Sequence, residues 1–227
     1  MNKISLRLFG IAGILGGLVL FAGDMLFYYD ATSTDLLQNM GKASDTRIMA
    51  SGLSALVAMW LYLIGLGQVY MAFKSVKKWI RNTVLVCFVA IVTSYGVVHA
   101  AYVAIATSAK IAIENNLNLK KTTILALETN DLLRVLGYPL FGILSILFIS
   151  QVWKRKTLYP RWMVFFFPLL LFLFSGIFNN ILSGKLWVII NGGFLNLLLV
   201  IFYTASTIAL WNTQVKKDVF LTPEIKK

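Results

Sequence analysis

An aspartate and a histidine stand inside apolar sequence, where each is costly. Asp24 lies in FAGDMLFYYD, residues 21 to 30, and His99, the single histidine, in TSYGVVHAAYVAI. Ionisable groups within membrane segments face the bundle interior or a watery cavity and pair with one another. Imidazole is also the side chain that changes charge near neutral pH. The two residues predict one polar site, with His99 the proton carrier if chemistry occurs. The competing expectation is that Asp24 reaches interfacial water or forms a structural pair.

A rim can be read around them. The segment ETNDLLRVLGYP places Glu128, Asp131, Arg134 and Tyr138 on one helical face at 100° per residue. Asn179 and Asn180 close the fifth apolar stretch, and Asn191 stands early in the sixth. The expected ligand-binding set is Asp24, His99, Glu128, Asp131, Arg134 and Asn180, with Arg47 or Arg134 placed to neutralise Asp24. No residue is assigned a catalytic role.

Several chemistries are poorly supported. A zinc site needs several imidazoles or thiolates, and the chain has one His and one Cys, Cys87. A hard-metal site from Asp24, Glu128 and Asp131 has no ligand-spacing signature. No metal and no cofactor is therefore expected. There is no P-loop or dinucleotide fingerprint. SGLSALV around Ser54 does not supply the GxSG of an intramembrane serine protease. The first functional expectation is a binding protein for a small amphipathic molecule or lipid headgroup. An enzyme using His99 and Asp24 in acid–base chemistry is the second, and a structural or accessory subunit the third.

These residues must be positioned by membrane helices. The chain is 59% hydrophobic and 13% charged, against about a quarter charged in a soluble domain. Crossing a bilayer takes about 20 apolar residues. Such stretches run near 8–29, 48–72, 82–108, 132–152, 162–182 and 186–210. They predict an all-α, polytopic bundle of six transmembrane helices forming one domain over residues 1–227, with a short basic tail at 211–227. The first stretch is read as a span and not as a cleaved signal peptide, since it is long and LFAG is a poor cleavage site.

Charge sorts by side. Lys3, Arg7, Lys74, Lys77, Lys78, Arg81, Lys154, Arg155, Lys156, Arg161, Lys216, Lys217, Lys226 and Lys227 fall on one side, fourteen of the twenty-one basic residues. The positive-inside rule makes that side cytoplasmic and puts both termini there. Trp79, Trp153, Trp162 and Trp211 mark the same span ends, as interfacial indoles do. The net charge of +12 thus reflects topology and contact with anionic lipid headgroups, and nucleic acid is not an expected partner. Homo-oligomerisation is left open.

Small residues should carry helix contacts, namely Gly10, Gly13 and Gly17 of the first span and Ser51, Ser54, Ala55 and Ala58 of the second. Pro139 and Pro168 predict kinks. The longest connection is expected at about 109–131, and within it the fourth helix is expected to be capped at Thr122 or Thr123, to begin before the bilayer and to project outward.

The opening LFGIAGILGGLVLFAGDMLFYYD, the HAAY around His99 and a proline-containing late span resemble a family of small six-span bacterial membrane proteins with no established activity. The resemblance implies a bacterial inner-membrane location. It singles out Gly23, Asp24 and His99 without giving them a role.

Overall fold

The computed structural model describes residues 3–213, and all regular structure among them is helical. Four helices are long and apolar enough to cross a membrane: α1 (Lys3–Tyr28), α3 (Asp45–Ala72), α4 (Lys78–Glu114) and α5 (Leu119–Trp153). A short α2 (Leu36–Lys42) links α1 to α3. After α5 come a 3-10 segment at Arg161–Phe166 and four more helices, α6 (Pro168–Phe172), α7 (Ser175–Ile181), α8 (Gly184–Gly192) and α9 (Phe194–Leu210). Helices α8 and α9 make a fifth crossing if taken together, with a 65° bend between them. The expected tail residues Lys216, Lys217, Asp218, Glu224, Lys226 and Lys227 lie outside the described residues.

The stretch expected as one span at 162–182, kinked at Pro168, is fragmented, and its sequence gives the reason. Pro168 has no amide hydrogen and disfavours helix in the residue before it. Phe167 is accordingly extended at φ −72°, ψ 134°, and Pro168 starts α6 in place of kinking a continuous helix. Proline is at home in that position, where its missing donor would have no partner. Pro139, by contrast, does sit inside α5.

The connection expected at 109–131 shrinks to residues 115–118, since α4 runs on to Glu114 and α5, expected to start within this stretch, starts at Leu119. At 37 and 35 residues, α4 and α5 extend about 55 and 52 Å, well past the hydrocarbon thickness of about 30 Å. They are joined by a tight turn in which Asn116 takes φ 53° and Leu117 N–H donates to the Ala112 carbonyl. Asn118, not Thr122 or Thr123, caps α5, its side chain accepting from Lys121 N–H at 2.9 Å. The polar residues flanking the turn thus continue the two helices instead of ending them.

Helix α1 is packed between α3 and α9. Its glycines permit the approach: a Cβ added at Gly65 of α3 would lie 2.9 Å from Gly13 Cα. One added at Gly17 would lie 3.2 Å from the Asn196 carbonyl of α9. Without a hydrophobic drive between helices in lipid, such backbone proximity is what dispersion needs. At the end carrying the α1 N-terminus, rings from four segments lock together around Phe148, whose centroid is 4.5 Å from Phe167 and 5.4 Å from Phe73. Trp79, Trp153, Trp162 and Trp211 are exposed at that basic end, and Arg7 covers the Trp211 ring at 4.1 Å.

Candidate functional site

Asp24 stands on α1 just over a turn before its end and is buried, as is His99 on α4. His99 Nδ1 lies 3.2 Å from Asp24 Oδ1. Two more helices join them. Asn196, two residues into α9 after the Gly193 bend, donates through Nδ2 to Asp24 Oδ2 at 2.5 Å. Ser51 of α3 donates its hydroxyl to the Gly23 carbonyl at 2.7 Å and lies 3.3 Å from His99 Nε2. The pair is therefore a junction of α1, α3, α4 and α9.

Gly23 makes this close fit. An added Cβ would collide with Ser54 Oγ and stand 3.4 Å from His99 Nε2. Its carbonyl is also the acceptor that fixes the Ser51 rotamer.

The hydrogen bonds determine proton positions. The Ser51 hydroxyl proton is committed to Gly23, so His99 Nε2 faces two acceptors, Ser51 Oγ and the Ser51 carbonyl at 3.2 Å. A proton on Nε2 is required. One more proton lies between Nδ1 and Oδ1, making either an imidazolium facing a carboxylate or a neutral imidazole accepting from a carboxyl. The site is a two-member proton-sharing pair, and its protons belong to the pair and not to one residue.

Aromatic rings enclose it. Phe27 and Tyr102 lie 5.8 and 6.0 Å from the His99 ring, and Arg134 of α5 stands over the Tyr102 ring at 5.3 Å. Neither Arg134 nor Arg47, the two expected to neutralise Asp24, makes an ion pair with it among the described residues. Arg47 does something else, donating to the Tyr29 carbonyl at 2.8 Å and the Met25 carbonyl at 3.3 Å. It thereby satisfies the Tyr29 carbonyl just past the end of α1 and adds a second bond to the Met25 carbonyl, which already accepts from Tyr29 N–H. Asn196 Oδ1, on the residue that bonds Asp24, is buried without a partner among the described residues, and so is the hydroxyl of Tyr95, one turn before His99 on α4.

The pair is covered from the end opposite the basic one. Helices α2 and α8 contribute Met40 and Val188 to an apolar cluster with Phe27, Tyr28 and Ile105. Asn39 of α2 donates to the Tyr28 carbonyl at 2.8 Å. The exposed stretch between α1 and α2 is itself pinned: Asp30 accepts from Thr32 N–H and Oγ1, both at 2.6 Å, which holds the Asp30 carboxyl below its ordinary pKa.

Of the six residues expected to bind ligand, Asp24 and His99 are in contact and Arg134 stands beside them, half-buried. Glu128, Asp131 and Asn180 are exposed. Among the described residues, no group of three or more His, Cys, Asp or Glu side chains is placed to hold a metal ion. Ser51 and Asn196, which complete the pair, were not in the expected set. Asn191 was the expected asparagine of the last span, yet it is half-buried while Asn196 is 3% exposed. Its signal is a lone amide in GGFLNLLLVIFY, directly after the glycines that bend the segment.

An all-helical protein with four or five helices able to cross a membrane, joined at a buried carboxylate–imidazole pair, is the class these features define. The chain belongs to a family of unknown function, DUF6796, whose family model matches residues 1–213. That match takes in every residue of the junction. No curated protein and no solved structure matches the chain.

Proposed function

We propose that this is a multi-pass protein of the bacterial inner membrane that binds a small amphipathic molecule or lipid headgroup at the Asp24–His99 pair. Both termini lie in the cytoplasm, and six crossings result when the segment 161–181 and the α8–α9 pair each cross once. The charge asymmetry supports that orientation, because basic residues collect at the end holding Lys3, Lys77 and Arg155. The pair then lies in the outer half of the bundle, covered by α2 and α8.

The observation that carries the binding reading is spare hydrogen-bonding capacity. Buried polar groups are almost always paired, and exceptions call for an explanation. Asn196 Oδ1 and the Tyr95 hydroxyl are buried and unpartnered beside an ionisable pair. An acceptor and a hydroxyl next to a carboxylate suit a ligand that brings a donor, an amine or a hydroxyl. Entry requires α8 to move, and the Gly193 bend beside Asn196 supplies the hinge.

Native mass spectrometry of the detergent-purified protein tests this. The wild type is expected to retain a small-molecule or lipid adduct that is lost in Asp24→Ala/His99→Ala and reduced in Asn196→Leu. An adduct indifferent to all three changes, or none in the wild type, rejects the reading.

A second reading rests on one geometric fact: Ser51, His99 and Asp24 are connected in the order of a serine–histidine–aspartate triad. To act so, Ser51 must leave the Gly23 carbonyl and donate to His99 Nε2, which requires the imidazole proton to move to Nδ1. Labelling of Ser51 by a fluorophosphonate, abolished by His99→Ala, is the expected result for an enzyme. Absence of labelling removes that reading.

A further inference from the structure

Away from the Asp24–His99 pair, at the basic end, two surface grooves meet on α5. One, about 620 Å³, lies between the start of α4 and the turn after α5. Lys77, Lys154, Arg155 and Lys156 line it, with Ser75 and Trp79 on its wall and Val76 and Ile80 beneath. The other, about 640 Å³, runs along one face of α5 through Gly142, Ser145, Ile146 and Ile149 to Trp153, with Leu169 of α6 opposite. Lys154 lines both grooves.

The first groove is built to hold negative charge. Helix α4 begins with Lys77 as N-cap and Lys78 and Arg81 in its first turns, with no acidic residue in its first turn and no side-chain cap. Cations there oppose the positive pole of the helix, and its first amides are left without intrahelical acceptors. An anion resolves both, since helix starts of this kind bind phosphate. No carboxylate of the described residues pairs with Lys77, Lys154, Arg155 or Lys156.

The backbone across the groove points the same way. Arg155 takes φ 55°, the left-handed position that usually falls to glycine after a helix end. Its neighbour Lys156 donates N–H to the Gln151 carbonyl at 3.0 Å and accepts from Ser75 Oγ at 2.8 Å. The turn is thus fixed at both sides, and it holds an arginine where glycine costs less. These bonds, with Arg155 N–H donating to the Val152 carbonyl at 3.0 Å, close the helix end and hold the Arg155 and Lys156 side chains at the groove.

The second groove decides the source of the phosphate. A free phosphate needs only the basic groove, whereas a lipid also needs an apolar channel running into the hydrocarbon. Small residues Gly142 and Ser145 open that channel, and it joins the basic groove at Lys154, between the exposed indoles of Trp79 and Trp153 that mark headgroup depth. We propose that the two grooves form one site for an anionic phospholipid of the inner leaflet, its phosphodiester between the α4 start and the Lys154–Lys156 turn, an acyl chain along α5. The leaflet follows from the orientation given above, while the site itself does not depend on the reading of Asp24.

Native mass spectrometry with phosphatidylglycerol and phosphatidylcholine titrated into the full-length protein tests this. Each cation near an anionic headgroup contributes enough that the wild type should prefer phosphatidylglycerol by about tenfold or more. The variant Lys154→Gln/Arg155→Gln/Lys156→Gln is expected to lose the preference, while Lys120→Gln/Lys121→Gln at the opposite end keeps it. An added Cβ at Gly142 meets nothing within 4 Å, so Gly142→Leu should fold and fill the channel. It is expected to weaken retention of both lipids severalfold. Equal retention of the two lipids by the wild type, or equal losses in the two charge variants, overturns the site. Phosphatidylglycerol retention unchanged by Gly142→Leu but displaced by inorganic phosphate overturns the lipid and leaves a phosphate site.

Discussion

The same three helices build two buried polar clusters, and the two are organised differently. Toward the basic end, the Tyr159 hydroxyl donates to Ser206 Oγ at 2.8 Å, Ser206 donates to Gln68 Oε1 at 2.6 Å, and Gln68 Nε2 donates to the Leu6 carbonyl at 3.0 Å. That chain joins α1, α3 and α9 with neutral groups, and every step has a donor and an acceptor. Toward the far end, Asp24, Asn196 and Ser51 occupy the same three helices, with His99 added from α4. Here ionisable groups are used, and acceptor and hydroxyl capacity is left over. Neutral hydrogen bonds suffice to fasten helices in a membrane, so the Gln68 cluster is the internal control for what a joint requires. What Asp24 and His99 add beyond that is the part in need of a function. Between the clusters, Tyr62 and Tyr203 stack at 6.1 Å with their buried hydroxyls unpartnered, so the two networks are not continuous through side chains.

The sharpest way to break this comparison is to remove one member of each cluster. His99→Leu leaves Asp24 buried with Asn196 as its remaining direct donor, and breaking a buried pair from one side costs about 3–5 kcal/mol. Denaturant unfolding in detergent should show a loss of that size. Replacing both members, as Asp24→Leu/His99→Leu, should cost less than the two single changes added, because neither leaves a lone ionisable group. Strict additivity would mean the two side chains do not form a pair.

Gln68→Leu should be milder. It strips Ser206 of an acceptor and the Leu6 carbonyl of a donor, a change of about 1–3 kcal/mol for neutral groups. No adduct seen in native mass spectrometry should depend on it. If Gln68→Leu removes the adduct as efficiently as Asn196→Leu, the clusters are not distinct in role and the binding centre extends along the whole α1–α3–α9 seam.

Legibility in the sequence followed cost. Asp24 and His99 could be picked out because an ionisable residue in apolar sequence is expensive wherever the helix faces. Ser51 and Asn196 could not, since hydroxyls and amides are ordinary in membrane helices, and helix register decides which of them meet the Asp24–His99 pair. Glu128 and Asp131 were grouped with the site because they share a depth and a helical face with Arg134; sharing a face did not bury them. The small-residue contacts were legible, as Gly13 and Gly17 do mediate close approach. The long apolar stretches foretold α1, α3, α4 and α5, but hydropathy alone said nothing of the break at Phe167–Pro168 or of α2 and α8 folding over the pair. Those depend on which backbone amides are satisfied, a property that composition does not carry.

The smallest expected change runs opposite in sign. Arg155 holds a left-handed backbone conformation that costs a side-chain-bearing residue on the order of 1 kcal/mol, and glycine adopts it freely. Arg155→Gly should therefore leave the protein as stable as the wild type or slightly more so, while weakening retention of phosphatidylglycerol. In contrast, the Asp24–His99 changes are expected to lose stability and binding together. A residue whose removal improves the fold and impairs binding is held in place by what it binds. If Arg155→Gly instead lowers the unfolding free energy with lipid retention unaltered, Arg155 serves the turn and the basic groove has no claim on it.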